Sequence, residues 1–220
     1  ALRHWHARLQ AASQVIDLNL ISHFACADER GNSLTELQLE RFLDVLDLPF
    51  AQRSLANSAA VLMIPAAHMD WLRPGIMLYG ASPFAELSAG ELGLRPAMSL
   101  RAEVIALREV QAGETVGYGG SWQATHDTRI ATVSCGYADG YPRHAPSGTP
   151  VWLQGQRVPL AGRVSMDMLC VDVGVLPSVQ LGSEVELWGQ RLPVDEVARA
   201  AGTLGYELLT RVTARVPRRY

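Results

Sequence analysis

The first half of the chain alternates between helical and strand-like patterns of apolar residues. Between Leu2 and Ala12 the apolar residues recur at helical spacing, which predicts an opening helix. The mostly apolar run from Ile16 to Cys26 predicts a strand, with the polar pair Ser22 and His23 near its C-terminal end.

Two further helix–strand pairs follow. Ser33 to Glu36 has the form of a capping box, and the apolar stripe behind it predicts a helix that ends by Pro49. Arg53 to Ser58 predicts a short strand, Ser58 to Ala67 a brief helix, and Trp71 to Tyr79 another strand. Such alternation is typical of a parallel sheet or barrel. A complete (β/α)₈ barrel takes roughly 250 residues, so about ninety supply only its last few units.

The second half has a different pattern, with many strands and little helix. A stretch rich in small residues, from Glu86 to Pro96, predicts a linker or an irregular loop. The predicted elements beyond it are strands at Met98 to Ala106 and Arg129 to Cys135, a hairpin from Val151 to Leu160, a strand at Glu184 to Trp188, a helix from Val194 to Ala201, and a last strand from Gly205 to Arg218. We therefore expect an α/β fold: residues 1–92 form the last units of a TIM-type β/α barrel, and residues 93–220 form a mostly β C-terminal domain.

Composition narrows the functional classes. At 220 residues and 48% hydrophobic content, the chain can bury a sizeable core in one domain or two. The net charge of −3 and the scattered basic residues do not indicate nucleic-acid binding, and no apolar run reaches the ~20 residues that span a membrane. The three cysteines are far apart, which favours reduced thiols in a cytoplasmic protein.

All 19 basic residues are arginine, and the sequence contains no lysine. Chemistry that needs an amine to form a Schiff base therefore cannot be completed by these residues alone. The sequence also has no His, Cys or Asp cluster at metal-ligand spacing and no glycine-rich phosphate loop before a helix.

Polar residues lie at the C-terminal ends of the predicted barrel strands, namely His23, Asn57 and Ser58, with the Gly75 turn just beyond Arg73. That edge of a barrel carries the active site, and Ser58 with the backbone amides near Gly75 and Ile76 would form an anion site. Each residue also has a simpler interpretation. His23 fits a hydrogen-bonded core histidine, Asn57–Ser58 fits a helix N-cap, and Arg73 fits a surface ion pair.

A single tyrosine between glycines stands out in the second half. In Glu114 to Gly120 (ETVGYGG), the glycines on both sides of Tyr118 carry no side chain that could shield the tyrosine, and they permit unusual backbone angles. Two interpretations follow. The segment is a hairpin turn whose tyrosine caps a core, or it presents a phenol to a partner or ligand.

Several motifs occur together in the order and rough spacing of one family. They are Arg73–Gly80 (RPGIMLYG), Val116–Gly119 (VGYG), Gly136–Gly140 (GYADG), Gly162–Asp167 (GRVSMD) and Gly205–Glu207 (GYE), with His23–Glu29 and Asn57–Ser58 upstream. With these motifs the chain resembles alanine racemase over essentially all of its length. The resemblance implies a pyridoxal-phosphate isomerase that interconverts L- and D-alanine, has an N-terminal (β/α)₈ barrel and a C-terminal β domain, and works as a head-to-tail homodimer.

The resemblance also implies a role for each matching residue. Tyr118 is one of the two catalytic acid/bases, acts on the L-alanine face, and reaches the cofactor of the partner subunit. Arg73 binds the pyridine nitrogen and His23 lies beside the ring. The phosphate is held by Ser58, the amides of Gly75 and Ile76, and Tyr206. Tyr137 and Met166 come from the partner's β domain to line the substrate entrance and carboxylate region, with Asp167 alongside.

Elementary chemistry agrees with these roles. Racemisation needs a base on each face of the α-carbon, and the cofactor delocalises the negative charge left between the two proton transfers. A free phenol has a pKa of about 10, so it needs a cationic neighbour such as the Arg73–His23 pair to act as a base. Arginine is always protonated and gives the ring nitrogen no proton, and we hypothesise that it thereby limits transamination.

The sequence departs from the family in lacking the cofactor-binding lysine, which is the second base, and the arginine that grips the substrate carboxylate. The chain therefore looks like the C-terminal portion of a racemase, without the first part of the barrel. Two alternatives remain: a catalytically inactive fragment or module that binds a racemase or pyridoxal phosphate, and a related racemase that acts on another amino acid.

Overall fold

The computed structural model describes all 220 residues, which divide into two compact units. The first unit comprises residues 1–78 and 82–92, and the second comprises residues 79–81 and 93–220. None of the helices combines the length and the apolar character that a membrane crossing requires.

The first unit alternates short helices with short parallel strands along the chain. Its elements are α1 (Leu2–Gln10), β1 (Asn19–Ile21), α2 (Ser33–Leu43), β2 (Gln52–Ser54), α3 (Ser58–Met63) and the 3₁₀ helices Pro65–Ala67 and Ile76–Tyr79. Strands β1 and β2 are parallel, and a single parallel bridge between Ser54 and Trp71 adds a third segment beside β2. Phe24, Phe42 and Leu55 are buried in its core.

Three predictions for the first unit need correction. The expected strand from Trp71 to Tyr79 is wrong: beyond the bridge at Trp71 the chain turns into the 3₁₀ helix, because Pro74 has no N–H to continue a ladder and fixes its own φ. The strand predicted from Ile16 to Cys26 is confined to β1. The N-cap of α2 is Asn32, whose side chain accepts the N–H of Leu34 at 2.9 Å, so Ser33 is the first helical residue.

The second unit is built on a six-stranded antiparallel sheet with strand order β8-β7-β10-β3-β6-β9. Its elements are β3 (Leu100–Val110), β4 (Thr115–Val116), the 3₁₀ turn Tyr118–Gly120, β5 (Trp122–Gln123), β6 (Thr128–Val133), β7 (Pro150–Leu153), β8 (Gln156–Pro159), β9 (Leu169–Asp172), β10 (Glu184–Trp188), α4 (Val194–Ala200) and α5 (Gly205–Arg211). The strands predicted near Leu100, Thr128 and Glu184 and the β7–β8 hairpin are confirmed. The predicted helix α4 is also confirmed, and Gly202 follows it in a left-handed conformation.

The expected last strand from Gly205 to Arg218 is wrong, because the chain forms helix α5 there. The helix buries Leu208 and packs against α4. Glu207 lies one turn before Arg211, which donates to its carboxylate at 2.7 Å, and Thr203 also donates to Glu207. These contacts favour the helix over the predicted strand.

Candidate active site

The parallel segments of the first unit bring three candidate residues to one edge. The Ser22 N–H donates to the Ser54 carbonyl at 3.1 Å, which holds the end of β1 against β2. The Arg73 N–H donates to the Ala56 carbonyl at 2.9 Å, so the segment that carries Arg73 runs beside the end of β2. His23, Ser58 and Arg73 thus follow neighbouring parallel segments at their carboxyl ends, as the strand pattern predicted.

Arg73 is half-buried and is held by three acceptors. Its Nη1 donates to the Ser54 hydroxyl at 2.5 Å, and its Nη2 donates to the Ser22 carbonyl at 2.6 Å and lies 3.3 Å from Nδ1 of His23. A guanidinium has five N–H donors, so the Nε–H and one Nη1–H remain for another acceptor. The result is a fixed cation with unused donors.

Ser58 lies at the first position of α3 and is 1% exposed. Its hydroxyl oxygen accepts the Gly75 N–H at 2.7 Å and lies 3.4 Å from the Met77 nitrogen. Because that oxygen accepts from the backbone, its O–H points elsewhere and can donate to a further acceptor. Ile76 opens the next 3₁₀ helix, where an N–H has no partner within the helix. Asn57 is the N-cap of α3, as one interpretation predicted, with its side chain accepting the Ala60 N–H at 3.0 Å.

Tyr118 stands on the turn between β4 and β5 in the second unit. Gly117 and Gly119 have φ values of +80° and +73°, angles that side-chain-bearing residues avoid, so glycine on both sides is required by the turn. The side chain of Tyr118 is 70% exposed. The structure therefore contains the predicted hairpin, but its tyrosine does not cap a core.

Tyr137 and Met166 lie on two loops that are hydrogen-bonded to each other. The Tyr137 N–H donates to the Ser165 carbonyl at 3.0 Å, and the Ala138 N–H donates to the Met166 carbonyl at 2.9 Å. The Tyr137 ring is half-buried with the Arg143 guanidinium 5.9 Å from its centroid, whereas Met166 is exposed. The structure thus brings these two candidate residues together.

The guanidinium of Arg215 joins these two loops through two carboxylates. Arg215 donates from Nε to Asp139 at 2.7 Å and from Nη2 to Asp167 at 2.6 Å. Burial alone would raise the pKa of Asp139, but the hydrogen bonds from Arg215 and from the Gly136 N–H hold it below its usual value. The hydrogen bond to Asp139, and after it the hydrogen bond to Asp167, raise the pKa of the Arg215 guanidinium.

Tyr206, the remaining candidate, is the second residue of α5 and is 46% exposed. No group of three or more His, Cys, Asp or Glu side chains is arranged to hold a metal ion.

The sequence pattern did not reveal Ser54 and Arg215. Ser54 lies at the end of β2, and nothing in a short predicted strand shows that one hydroxyl faces an arginine 19 residues away. Arg215 meets carboxylates that are 76 and 48 residues distant in sequence, a separation that local patterns do not reveal.

Two family models together match nearly the whole chain. Residues 1–83 match "Alanine racemase, N-terminal domain" and residues 97–220 match "Alanine racemase, C-terminal domain". The chain belongs to the alanine racemase family, whose fold joins an N-terminal barrel domain to a mostly β C-terminal domain.

Named relatives agree with this assignment. The biosynthetic alanine racemase of Pseudomonas aeruginosa is 71% identical over 220 residues, which are all of this chain and 62% of that protein. Its crystal structure superposes with a TM-score of 0.97 over all of this chain and 61% of its own. The crystal structure of alanine racemase from Bartonella henselae with covalently bound pyridoxal phosphate is 32% identical, with a TM-score of 0.88 over all of this chain and 61% of its own. This chain thus spans about three fifths of the length of these relatives.

Proposed function

We propose that the chain is part of a pyridoxal-phosphate-dependent racemase that interconverts L- and D-alanine. The observation that carries the proposal is the anchored guanidinium of Arg73, which has donors to spare beside His23 and close to the Ser58–Gly75 contact. The names of the relatives support alanine as the substrate.

The residues of the first unit fit the cofactor. The unused N–H groups of Arg73 would meet the pyridine nitrogen, and His23 would lie beside the ring and support the guanidinium. The Ser58 hydroxyl and the Ile76 amide would hold the phosphate, and the Gly75 N–H would join them by turning from the Ser58 oxygen, to which it donates at 2.7 Å. When bound, pyridoxal phosphate delocalises the negative charge that remains after the α-proton leaves.

Arg73 would also limit what that cofactor does. A guanidinium keeps its proton at any physiological pH, so it donates a hydrogen bond to the ring nitrogen without protonating it. The hydrogen bonds to the Ser22 carbonyl and the Ser54 hydroxyl fix the Arg73 guanidinium in one place, so the ring nitrogen would always meet this same donor.

Tyr118 would be the acid/base on the L-alanine face. A base must come within hydrogen-bond distance of the group that it deprotonates, and the 70% exposed Tyr118 on its turn is accessible to such a group on another subunit. The proposal therefore includes a head-to-tail homodimer, in which Tyr118, Tyr137 and Met166 reach the cofactor and substrate held by the other subunit.

The architecture and location form part of the same proposal. Residues 1–92 would be the last units of a (β/α)₈ barrel, which the parallel order of β1, β2 and the Trp71 segment supports, and residues 93–220 would be the β domain. Three cysteines without disulfides favour a cytoplasmic location.

One observation favours a second candidate, a catalytically inactive module. The sequence has no lysine, so no amine of these 220 residues can hold the cofactor covalently or serve as the second base. In a working enzyme that lysine would come from residues outside these 220.

The test is a racemisation assay on the full-length protein, combined with borohydride reduction of the purified sample. An active racemase should interconvert the alanine enantiomers and retain a reduced phosphopyridoxyl group on one of its lysines. Absence of racemisation and of the reduced adduct, in a sample reconstituted with pyridoxal phosphate, would instead support the inactive module.

A further inference from the structure

Two loops of the second unit behave as one structural piece. The loop of residues 136–140 follows β6, and the loop of residues 162–168 precedes β9. They are joined through the Tyr137 and Ala138 N–H groups, which donate to the Ser165 and Met166 carbonyls. Gly136 lies so close to these carbonyls that a Cβ there would collide with them. The positions of Tyr137 and Met166 therefore depend on each other.

A single guanidinium spans both loops. Arg215 donates from Nε to Asp139 of the first loop and from Nη2 to Asp167 of the second, at 2.7 and 2.6 Å. Asp139 uses its other oxygen to accept the Gly136 N–H at 2.8 Å. The contact with Arg215 therefore also restrains Gly136, the residue before Tyr137. The guanidinium donates to the two carboxylates from two separate nitrogens, whereas the ammonium of a lysine would have to meet both from one atom.

The segment that carries Arg215 is itself fixed to the first loop. The Thr213 N–H donates to the Asp139 carbonyl at 3.1 Å, and the Thr213 hydroxyl donates to the Ala138 carbonyl at 2.9 Å. Arg215 is therefore not a freely moving surface side chain, although 46% of it is exposed. The pair of Arg215 with Asp167 is exposed on both sides, and exposed ion pairs contribute little to folding, so stability alone is a weak reason for this second contact.

We propose that Arg215 is a positioning residue that sets the separation of Tyr137 and Met166 and thereby shapes the entrance for a small amino-acid substrate. Its effect on catalysis rests on the proposed racemase function, whereas its effect on the two loops does not. The side chains that the Arg215 guanidinium contacts are those of Asp139 and Asp167. It acts by holding the loops through Asp139 and Asp167.

The first test measures hydrogen exchange in the full-length protein with Arg215→Gln, and takes Arg157→Gln as the matched control. Arg157 makes an equally close two-point contact with Glu196, at 2.7 and 2.8 Å, elsewhere in the same unit. Exchange should accelerate in segments 136–140 and 165–168 of the Arg215 variant and stay unchanged there in the control. Acceleration confined to residues 211–216 would overturn the proposal.

The second test measures steady-state racemisation by the same variants. Misplacing binding groups by about 1 Å can cost a hundredfold, so Arg215→Gln should lower kcat/KM about tenfold to a hundredfold, mainly through KM. Arg215→Lys should recover only part of the loss, because a lysine keeps the charge but has a single donor nitrogen in place of the rigid fork. Loosened loops with unaltered kcat/KM would overturn the positioning role. A wild-type protein without racemase activity would refute the proposed function instead, and the exchange result would still decide what Arg215 does.

Discussion

Nη2 of Arg73 lies 3.3 Å from Nδ1 of His23 while donating to the Ser22 carbonyl at 2.6 Å. A guanidinium can only donate, so Nδ1 of His23 must be the acceptor, and the ring proton of a neutral imidazole then resides on Nε2. The pair thus presents an unused donor on each partner, Nε2–H on His23 and Nε–H on Arg73, at the edge that would receive the cofactor.

We expect Arg73→Glu to raise transamination relative to racemisation, because a carboxylic acid at this position can supply the ring nitrogen with a proton that arginine keeps. The measurement is pyruvate formed per alanine racemised. Ser54→Ala is the control, since it removes one anchor of Arg73 without changing its charge. It should lower activity and leave the ratio of products unchanged. Equal ratios in all three proteins would contradict the role given to Arg73.

Tyr118→Phe should lower racemisation by about a hundredfold or more, which is the usual contribution of one acid/base group. The two enantiomers have equal free energies, so both directions must lose the same kcat/KM, and the rate in either direction cannot identify the missing base. Exchange of the α-proton with D₂O can. It should cease from L-alanine and persist from D-alanine, whose proton faces the other base.

The control for this experiment is Tyr220→Phe, which removes a fully exposed hydroxyl from the last residue. It should leave exchange from both enantiomers intact. Persistent exchange from L-alanine in the Tyr118 variant would remove the assignment.

How far the sequence predicted the fold depends on the length of each pattern. β3 runs for 11 residues and the β7–β8 hairpin has a glycine at its tip, and both were predicted because alternation and turn residues are local signals. Helix α5 has seven residues and the Trp71 segment makes one bridge. Their conformations follow from packing against α4 and from Pro74, which outweigh the weak preferences of so few residues.

The candidate site was predicted in part for a related reason. His23, Ser58 and Arg73 follow parallel segments, and topology alone brings the ends of such segments together. Ser54 and Arg215 could not be found in that way, because each acts through a side-chain contact between segments that are distant in sequence.

Ser58→Ala should weaken binding of pyridoxal phosphate to the apoprotein by roughly tenfold, which corresponds to about 1.4 kcal/mol for one hydrogen bond to a charged group. The change also leaves the Gly75 N–H without its acceptor. Fluorescence titration measures the affinity. Ser178→Ala, which removes a surface hydrogen bond to Gln154, is the control and should titrate like the wild type. Identical affinities for both variants would show that Ser58 does not contact the phosphate.

Cys135 should resist alkylation in the folded protein. It is buried, and burial together with the nearby Asp139 raises the pKa of its thiol to about 12, so almost no reactive thiolate exists at pH 8. Burial also raises the pKa of Cys170. Peptide mass spectrometry after iodoacetamide treatment should find Cys135 labelled only in denaturant. Rapid labelling of Cys135 in the native state would show that the chain around Cys135 and Gly136 opens readily.

The contact between Arg215 and Asp139 should make the loop of residues 136–140 sensitive to acid. The folded-state pKa of Asp139 lies below its ordinary value of about 3.9, so the contact stabilises the loop above that value and is lost as the pH falls through the lowered pKa.

Asp139→Asn removes the charge at every pH. Hydrogen-exchange protection of segment 136–140 should therefore be lower in the variant than in the wild type at pH 7 and at pH 5, by a similar factor at both. As the pH falls from about 4 through the lowered pKa of Asp139, the two proteins should converge, because the wild-type carboxylate becomes protonated and loses its attraction for the guanidinium. Glu196→Gln, which breaks the Arg157 contact elsewhere in the unit, should leave protection of this segment unchanged. A difference between Asp139→Asn and the wild type that persists undiminished to pH 3 would mean that the charge on Asp139 is not what holds the loop.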